Sequence, residues 1–162
     1  MSGAKICGQY VASTLAKREA IAMGVDEALL MDDEGHVCEG SGENLFMVRR
    51  GELLTPPASA AILPGLTRDT VLHLAQANQQ ALGLRSVRRI KLPRDMLLTA
   101  DEVFLTGTAA EVTPVREIDG RSIGSGSAGP VTQFLQKAYF DLVKGRAPAP
   151  DGWLTPFPAL VS

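Results

Sequence analysis

Apolar positions along the chain change period several times, and each change marks the border of an element. Between 8 and 23, Tyr10, Val11, Leu15, Ala16, Ala20 and Ile21 recur at helical spacing, and Gly24 stands where a C-terminal glycine belongs. The short apolar run 28–31, the turn Asp32-Asp-Glu-Gly35 and the run 36–39 predict a hairpin. A second hairpin is predicted over 44–49 and 52–55 around Arg50-Gly51, closed by Pro56-Pro57 because proline cannot continue a central strand. The clearest helical period runs over 67–82, with Val71, Leu72, Leu74, Ala75 and Leu82 apolar and Gly83 ending it. A strand over 87–92, a short helix over 93–99 that opens on proline, and a buried strand over 103–106 follow. A further strand over 112–118 meets 121–123 across Asp119-Gly120. The Gly/Ser cluster 124–129 reads as a loop and 131–143 as a last amphipathic helix before Gly145. The proline-rich end through Ser162 reads as irregular surface chain.

Helices separated by hairpins, without strict β-α alternation, predict an α/β domain: a largely antiparallel or mixed sheet with flanking helices, α+β-like in its layout. Residues 1–162 have the length of one domain with a buried core.

Composition narrows the function classes. With 45% hydrophobic and 21% charged residues the chain is ordinarily globular. A net charge of −2 gives no basic face for a phosphodiester backbone, so nucleic acid is not an expected partner. No apolar stretch approaches the roughly 20 residues of a membrane span, so no membrane association is expected. The start Met1-Ser-Gly-Ala-Lys5-Ile lacks the layout of a signal peptide, and a cytoplasmic protein with reduced thiols is expected. Cys7 and Cys38 form no metal-ligand pattern and read as buried small hydrophobes. No metal site is expected.

Candidate chemistry lies in Glu39-Gly-Ser-Gly-Glu-Asn44-Leu-Phe46 and Leu63-Pro-Gly65-Leu-Thr67-Arg68. Glu39 ends a strand before a glycine-rich turn. A carboxylate there can hold a pyridine nitrogen protonated, or it can be a solvated strand-end acid. Glu43 is expected to support the turn. Leu63 to Thr67 run into a helix start, whose amides form an anion site that Gly65 lets a phosphate approach. Thr67 is expected to cap that helix and donate its hydroxyl, and an ordinary loop with a threonine cap fits the same residues. Gly107-Thr108-Ala109-Ala110-Glu111 is either an anion-binding turn or a tight strand connection. Lys5 is a lone lysine, solvated unless desolvation and neighbouring cations release its proton for Schiff-base chemistry.

In order and spacing these segments resemble the class IV pyridoxal-phosphate aminotransferases, the branched-chain group in particular. Lys5-Ile-Cys-Gly-Gln-Tyr10 is similar to the segment around that family's Schiff-base lysine. The resemblance implies the large C-terminal, cofactor-binding domain of the D-amino-acid-aminotransferase-like fold and the cofactor pyridoxal 5′-phosphate. It implies that Lys5 forms the Schiff base and shuttles the proton between substrate and cofactor carbons. Tyr10 would bond the phenolic oxygen, Glu39 the pyridine nitrogen, and Leu63 would pack on the ring. Gly65, Leu66, Thr67 and Thr108 would bind the phosphate, and the amides of Thr108 and Ala109 the substrate carboxylate. The implied reaction is amino transfer between branched-chain L-amino acids and 2-oxoglutarate, as in amino-acid biosynthesis. D-amino-acid transamination, aminodeoxychorismate lysis, or a non-catalytic binding or assembly domain stand as alternatives.

Family members carry a smaller N-terminal domain ahead of the lysine. Lys5 is almost the first residue here, so that domain is expected to be absent from this chain. A homo-oligomer, or a second polypeptide supplying that domain, is the expected partner besides the amino acid and 2-oxo acid.

Overall fold

The computed structural model describes residues 7–155. A turn of 3-10 helix, Cys7–Gln9, leads into α1 (Tyr10–Ala22). Strands β1 (Leu29–Met31) and β2 (His36–Gly40) form the first hairpin, and β3 (Asn44–Arg49) and β4 (Glu52–Thr55) the second. After a loop over 56–65 come α2 (Leu66–Ala77), β5 (Ser86–Arg89), β6 (Leu92–Pro93) and the single turn α3 (Arg94–Leu97). Then follow β7 (Glu102–Gly107), β8 (Glu111–Pro114), a ribbon of β9 (Glu117–Ile118) and β10 (Arg121–Ser122), and α4 (Pro130–Val143).

Eight strands form one sheet, and β3 is its hub. One edge of β3 pairs with β7 from Asn44 to Val48. The other edge is shared, with β2 at Asn44 and with β4 from Met47 onward. Away from that pair, β2 lies between β1 and β6. All pairings are antiparallel except β4 with β5, so the sheet is mixed, as expected.

Both faces of β3 and β7 are covered, which explains their unbroken apolar runs. Leu45, Met47, Val103 and Leu105 face one cluster with Val37, Leu92 and Leu97. Phe46, Val48 and Phe104 face the other, with Val71, Leu72 and Ala75 of α2 and Val131 and Leu135 of α4. Phe46 and Phe104 stack with centroids 5.1 Å apart and planes 7° apart. Each such fully buried side chain contributes about 1.5–3 kcal/mol relative to exposure. This phenylalanine pair fixes the face on which α2 lies, and α2 carries one end of the site.

Several expected boundaries move. The helix expected over 67–82 ends at Ala77. The backbone N–H and side-chain amide of Asn78 both donate to the Leu74 carbonyl, at 3.1 and 2.8 Å, so a local side-chain bond competes with continuation. The strand expected over 87–92 is two strands on different edges, β5 beside β4 and β6 beside β2. The strand expected over 112–118 stops at Pro114, which has no N–H, and resumes as β9 in a separate ribbon. Cys7 is exposed, whereas Cys38 is buried as expected. The helix α1 buries Ala20 only, and Val11, Leu15 and Ile21 are 60%, 61% and 60% exposed. Its apolar period is real, but no element among the described residues covers it.

Candidate active site

Glu39, Asn44 and Thr106 stand directly opposite one another across β2, β3 and β7. Opposed residues share a face, and two residues further along β3 that face carries Phe46. The row is therefore polar at the end of an apolar layer, and the start of α2 lies beside it.

Glu39 is half-buried, and two donors converge on its Oε2: the Leu63 backbone N–H at 3.0 Å and the Asn44 side-chain amide at 3.1 Å. Its Oε1 accepts no hydrogen bond among the described residues. Burial pushes the carboxyl up to about 7, against the pull of the Leu63 amide, the Arg68 charge and Asn44. Such a group is poised to be ionised by an incoming cationic N–H. Glu43 supports the turn as expected, accepting from the Gly42 N–H at 3.1 Å, while its carbonyl takes the Gly40 N–H at 2.7 Å.

The loop over 56–65 is pinned by Ala60 and Ile62, which pack against the buried Cys38. This brings Leu63, half-buried, next to Glu39. Gly65 is the residue before α2, in extended backbone, and no side chain caps the helix there. The expectation that Thr67 caps α2 is not met. Thr67 lies inside the first turn and is buried, because the chain is already helical at Leu66. Among the described residues no side-chain acceptor reaches the amides of Leu66, Thr67 or Arg68, so this positive helix end is open. The Leu66 side chain is 87% exposed, so only its backbone serves the helix end.

Arg68 was missed as a site residue. Its guanidinium is buried, donates to the Pro56 carbonyl at 2.7 Å and the Thr55 hydroxyl at 3.4 Å, and joins no ion pair among the described residues. Burial lowers its pKa. A buried cation without a counter-ion beside an open helix N-terminus suits an anion. Thr106 adds a fully buried hydroxyl with no partner among the described residues.

The turn after β7 reaches the same place. A Cβ at Gly107 would lie 3.5 Å from the Gly42 carbonyl oxygen and 3.6 Å from Glu43 Cγ, so this turn packs on the Glu39 turn. Thr108 and Ala109 in it are exposed. Tyr10 opens α1, half-buried, and its hydroxyl makes no hydrogen bond among the described residues. Lys5 lies outside the described residues. The structure thus brings together Glu39, Leu63, Gly65, Leu66, Thr67 and the 107–109 turn.

The family described as Amino-transferase class IV matches residues 1–118. This chain belongs to the class IV aminotransferases. The branched-chain-amino-acid aminotransferase of Pseudomonas aeruginosa is 52% identical over 155 residues, which are 96% of this chain and 48% of that relative. The T.th. branched-chain amino acid aminotransferase, solved with pyridoxamine 5′-phosphate, is 52% identical with a TM-score of 0.86, over 95% of this chain and 48% of that one. The Escherichia coli enzyme is 45% identical with a TM-score of 0.86, over 94% and 50%. The chain spans about half the length of these relatives. Its mixed sheet and flanking helices are the fold of this class over that half. Among the described residues, no helix is long and apolar enough to cross a membrane.

Proposed function

We propose that the protein transfers an amino group between branched-chain L-amino acids and 2-oxoglutarate, using pyridoxal 5′-phosphate, and that residues 1–162 form its cofactor-binding part. The observation that carries this is the pairing of a half-buried Glu39, its Oε1 free, with an uncapped α2 start held beside it by Leu63 and Asn44. The relatives' names support the substrate class.

The residues fit the cofactor. Glu39 offers one free carboxylate oxygen to a ring nitrogen, and its raised pKa favours sharing a proton there. The amides of Leu66 and Thr67 and the α2 dipole face the phosphate, Gly65 keeps the approach clear, and Arg68 adds a buried positive charge. Thr108 would add a further contact to the phosphate. Leu63 would pack on the ring, and Tyr10 would hold its phenolic oxygen. When bound, the cofactor would supply an electron sink for the substrate Cα–H bond. Lys5 is the covalent attachment and carries the proton between the two carbons. The amides of Thr108 and Ala109 orient the substrate carboxylate. Further walls of the pocket come from chain or a subunit beyond these residues, and the exposed apolar residues of α1 suit such a contact.

Borohydride reduction of the protein with pyridoxal 5′-phosphate, followed by peptide mapping, tests the assignment. A pyridoxyl group on Lys5 is expected. One on Lys17, Lys91, Lys137 or Lys144 instead would remove Lys5 from the role. The full-length protein should convert leucine and 2-oxoglutarate to glutamate. Failure to do so with cofactor attached would overturn the substrate class.

A further inference from the structure

We propose that Asn44 is a positioning residue of this site: its side-chain amide locks the Glu39 carboxylate to the 63–67 segment, fixing the separation between the ring-nitrogen end and the phosphate end. This rests on the cofactor reading above and says what the Asn44 bonds do for it.

Asn44 is buried at the start of β3, directly opposite Glu39. Its Nδ2 spends both hydrogens, one on Glu39 Oε2 at 3.1 Å and one on the Leu63 carbonyl at 2.7 Å. The Leu63 N–H returns to the same Oε2 at 3.0 Å. Three bonds thus close a ring through Glu39, Asn44 and Leu63. Two acceptors face this nitrogen, so the amide orientation is fixed by its partners. The other end of the amide is equally constrained. A Cβ at Gly65 would lie 2.4 Å from Asn44 Oδ1, so the residue preceding α2 is glycine because Asn44 occupies the space.

One rigid amide therefore touches the carboxylate, the ring-packing residue and the helix start. Asparagine is specific here. Aspartate has the shape but no N–H, and glutamine would push its head into Leu63 or Gly65. The amide also leaves Oε1 as the free oxygen, because both donors are aimed at Oε2. The charged groups that act on Glu39 from neighbouring segments are Arg68 of α2 and Glu43 of its own turn. Asn44 is the only uncharged side chain donating to it among the described residues.

The test uses the protein with 13C-labelled glutamate carboxyls, without added cofactor, the Glu39 signal being assigned by its loss in Glu39→Gln. In Asn44→Ala the Glu39 titration midpoint should rise by about one pH unit, the equivalent of one lost charge-assisted bond. Asn44→Asp, which has the same shape and no donor, should raise it further and serves if the alanine variant does not fold. An unmoved midpoint overturns the proposal. Equilibrium dialysis with pyridoxal 5′-phosphate gives the second readout. Asn44→Ala should bind roughly tenfold more weakly, with no further loss in the Glu39→Gln background, because Asn44 acts through Glu39. Additive losses would make Asn44 a merely structural residue. A parent protein that takes up no cofactor would overturn the proposed function itself, and an unmoved midpoint in a parent that binds it overturns Asn44 alone.

Discussion

Two helices of this chain begin on a glycine with no side chain to cap them, and they resolve that shortage in opposite ways. At α4, preceded by Gly129, the carboxylate of Glu102 arrives from β7 and fills the helix end. Its Oε1 takes the Val131 N–H at 3.0 Å, and its Oε2 takes the Thr132 N–H at 2.8 Å and the Thr132 hydroxyl at 2.7 Å. At α2, preceded by Gly65, no such carboxylate arrives among the described residues, and Glu39 lies near with its Oε1 accepting no bond from them. The first helix end is closed by the protein's own anion and serves stability. The second is left open beside a buried arginine, and in the proposed function it would receive an anion. A helix start alone says little, and what fills it separates structure from function.

The strongest way to break this contrast is to empty the closed end. Glu102→Ala leaves two buried N–H groups and a hydroxyl without their acceptor and opens a cavity against Gly129, whose added Cβ would lie 2.2 Å from the Glu102 carboxyl carbon. A loss of about 3–5 kcal/mol in urea unfolding is expected. Cofactor uptake per folded molecule should be unchanged. A loss below about 1 kcal/mol would mean that the helix end is solvated rather than capped.

Removing the charge at the open end should do the reverse. Glu39→Gln should slow transamination by the full-length protein by roughly a hundredfold or more, the scale on which a preorganised charge acts. Near-parent turnover would take Glu39 out of the chemistry.

The contrast also explains what could be read from the sequence. The hairpins, the helix starting near Thr67 and the buried strand at 103–106 were legible because their periods and turn residues agree locally. Glu39, Leu63 and Gly65 were legible as a motif. Asn44 and Arg68 stood inside the quoted motifs and still received no role, because their partners, the Leu63 and Pro56 carbonyls, are set by the fold. The cross-strand register of Glu39 and Asn44, flanking a four-residue turn, was the one signal that could have found Asn44. Gly65 was read as clearance for a phosphate, and the structure adds a nearer cause in the Asn44 side chain. The split of 87–92 between two sheet edges was not legible, since a local pattern does not say which edge a strand joins. The exposure of α1 was not legible for a related reason: an apolar period calls for cover but does not supply it.

A smaller effect sharpens the open end. Gly65→Ala places a Cβ 2.4 Å from Asn44 Oδ1, in an extended conformation that alanine otherwise accepts. The amide must then shift, at about 1–3 kcal/mol of stability, and affinity for pyridoxal 5′-phosphate should fall with it. Gly65→Ala in an Asn44→Ala background should recover most of the stability cost. If it does not, the glycine answers to something other than Asn44.

The smallest expected effect distinguishes Glu39 by its protons alone. Its folded pKa is raised from 4.5 to about 7, chiefly by burial. Between those values the folded chain holds a proton that the unfolded chain has released. Stability contributed by Glu39 is thus full below about pH 4.5 and is lost as pH rises through about 7. Glu43, also raised by burial, slopes the same way, so the parent curve alone is not diagnostic. The difference between parent and Glu39→Gln isolates the group. Urea unfolding of both from about pH 5 to about pH 8 should show the parent losing ground to the variant as pH rises, then running parallel above about pH 7. Saturating pyridoxal 5′-phosphate should remove this slope, because a cationic ring nitrogen at Oε1 draws the Glu39 pKa back down. A slope that survives saturation would mean that the bound ring does not meet Glu39, and the open helix end would then hold its phosphate without the carboxylate's help.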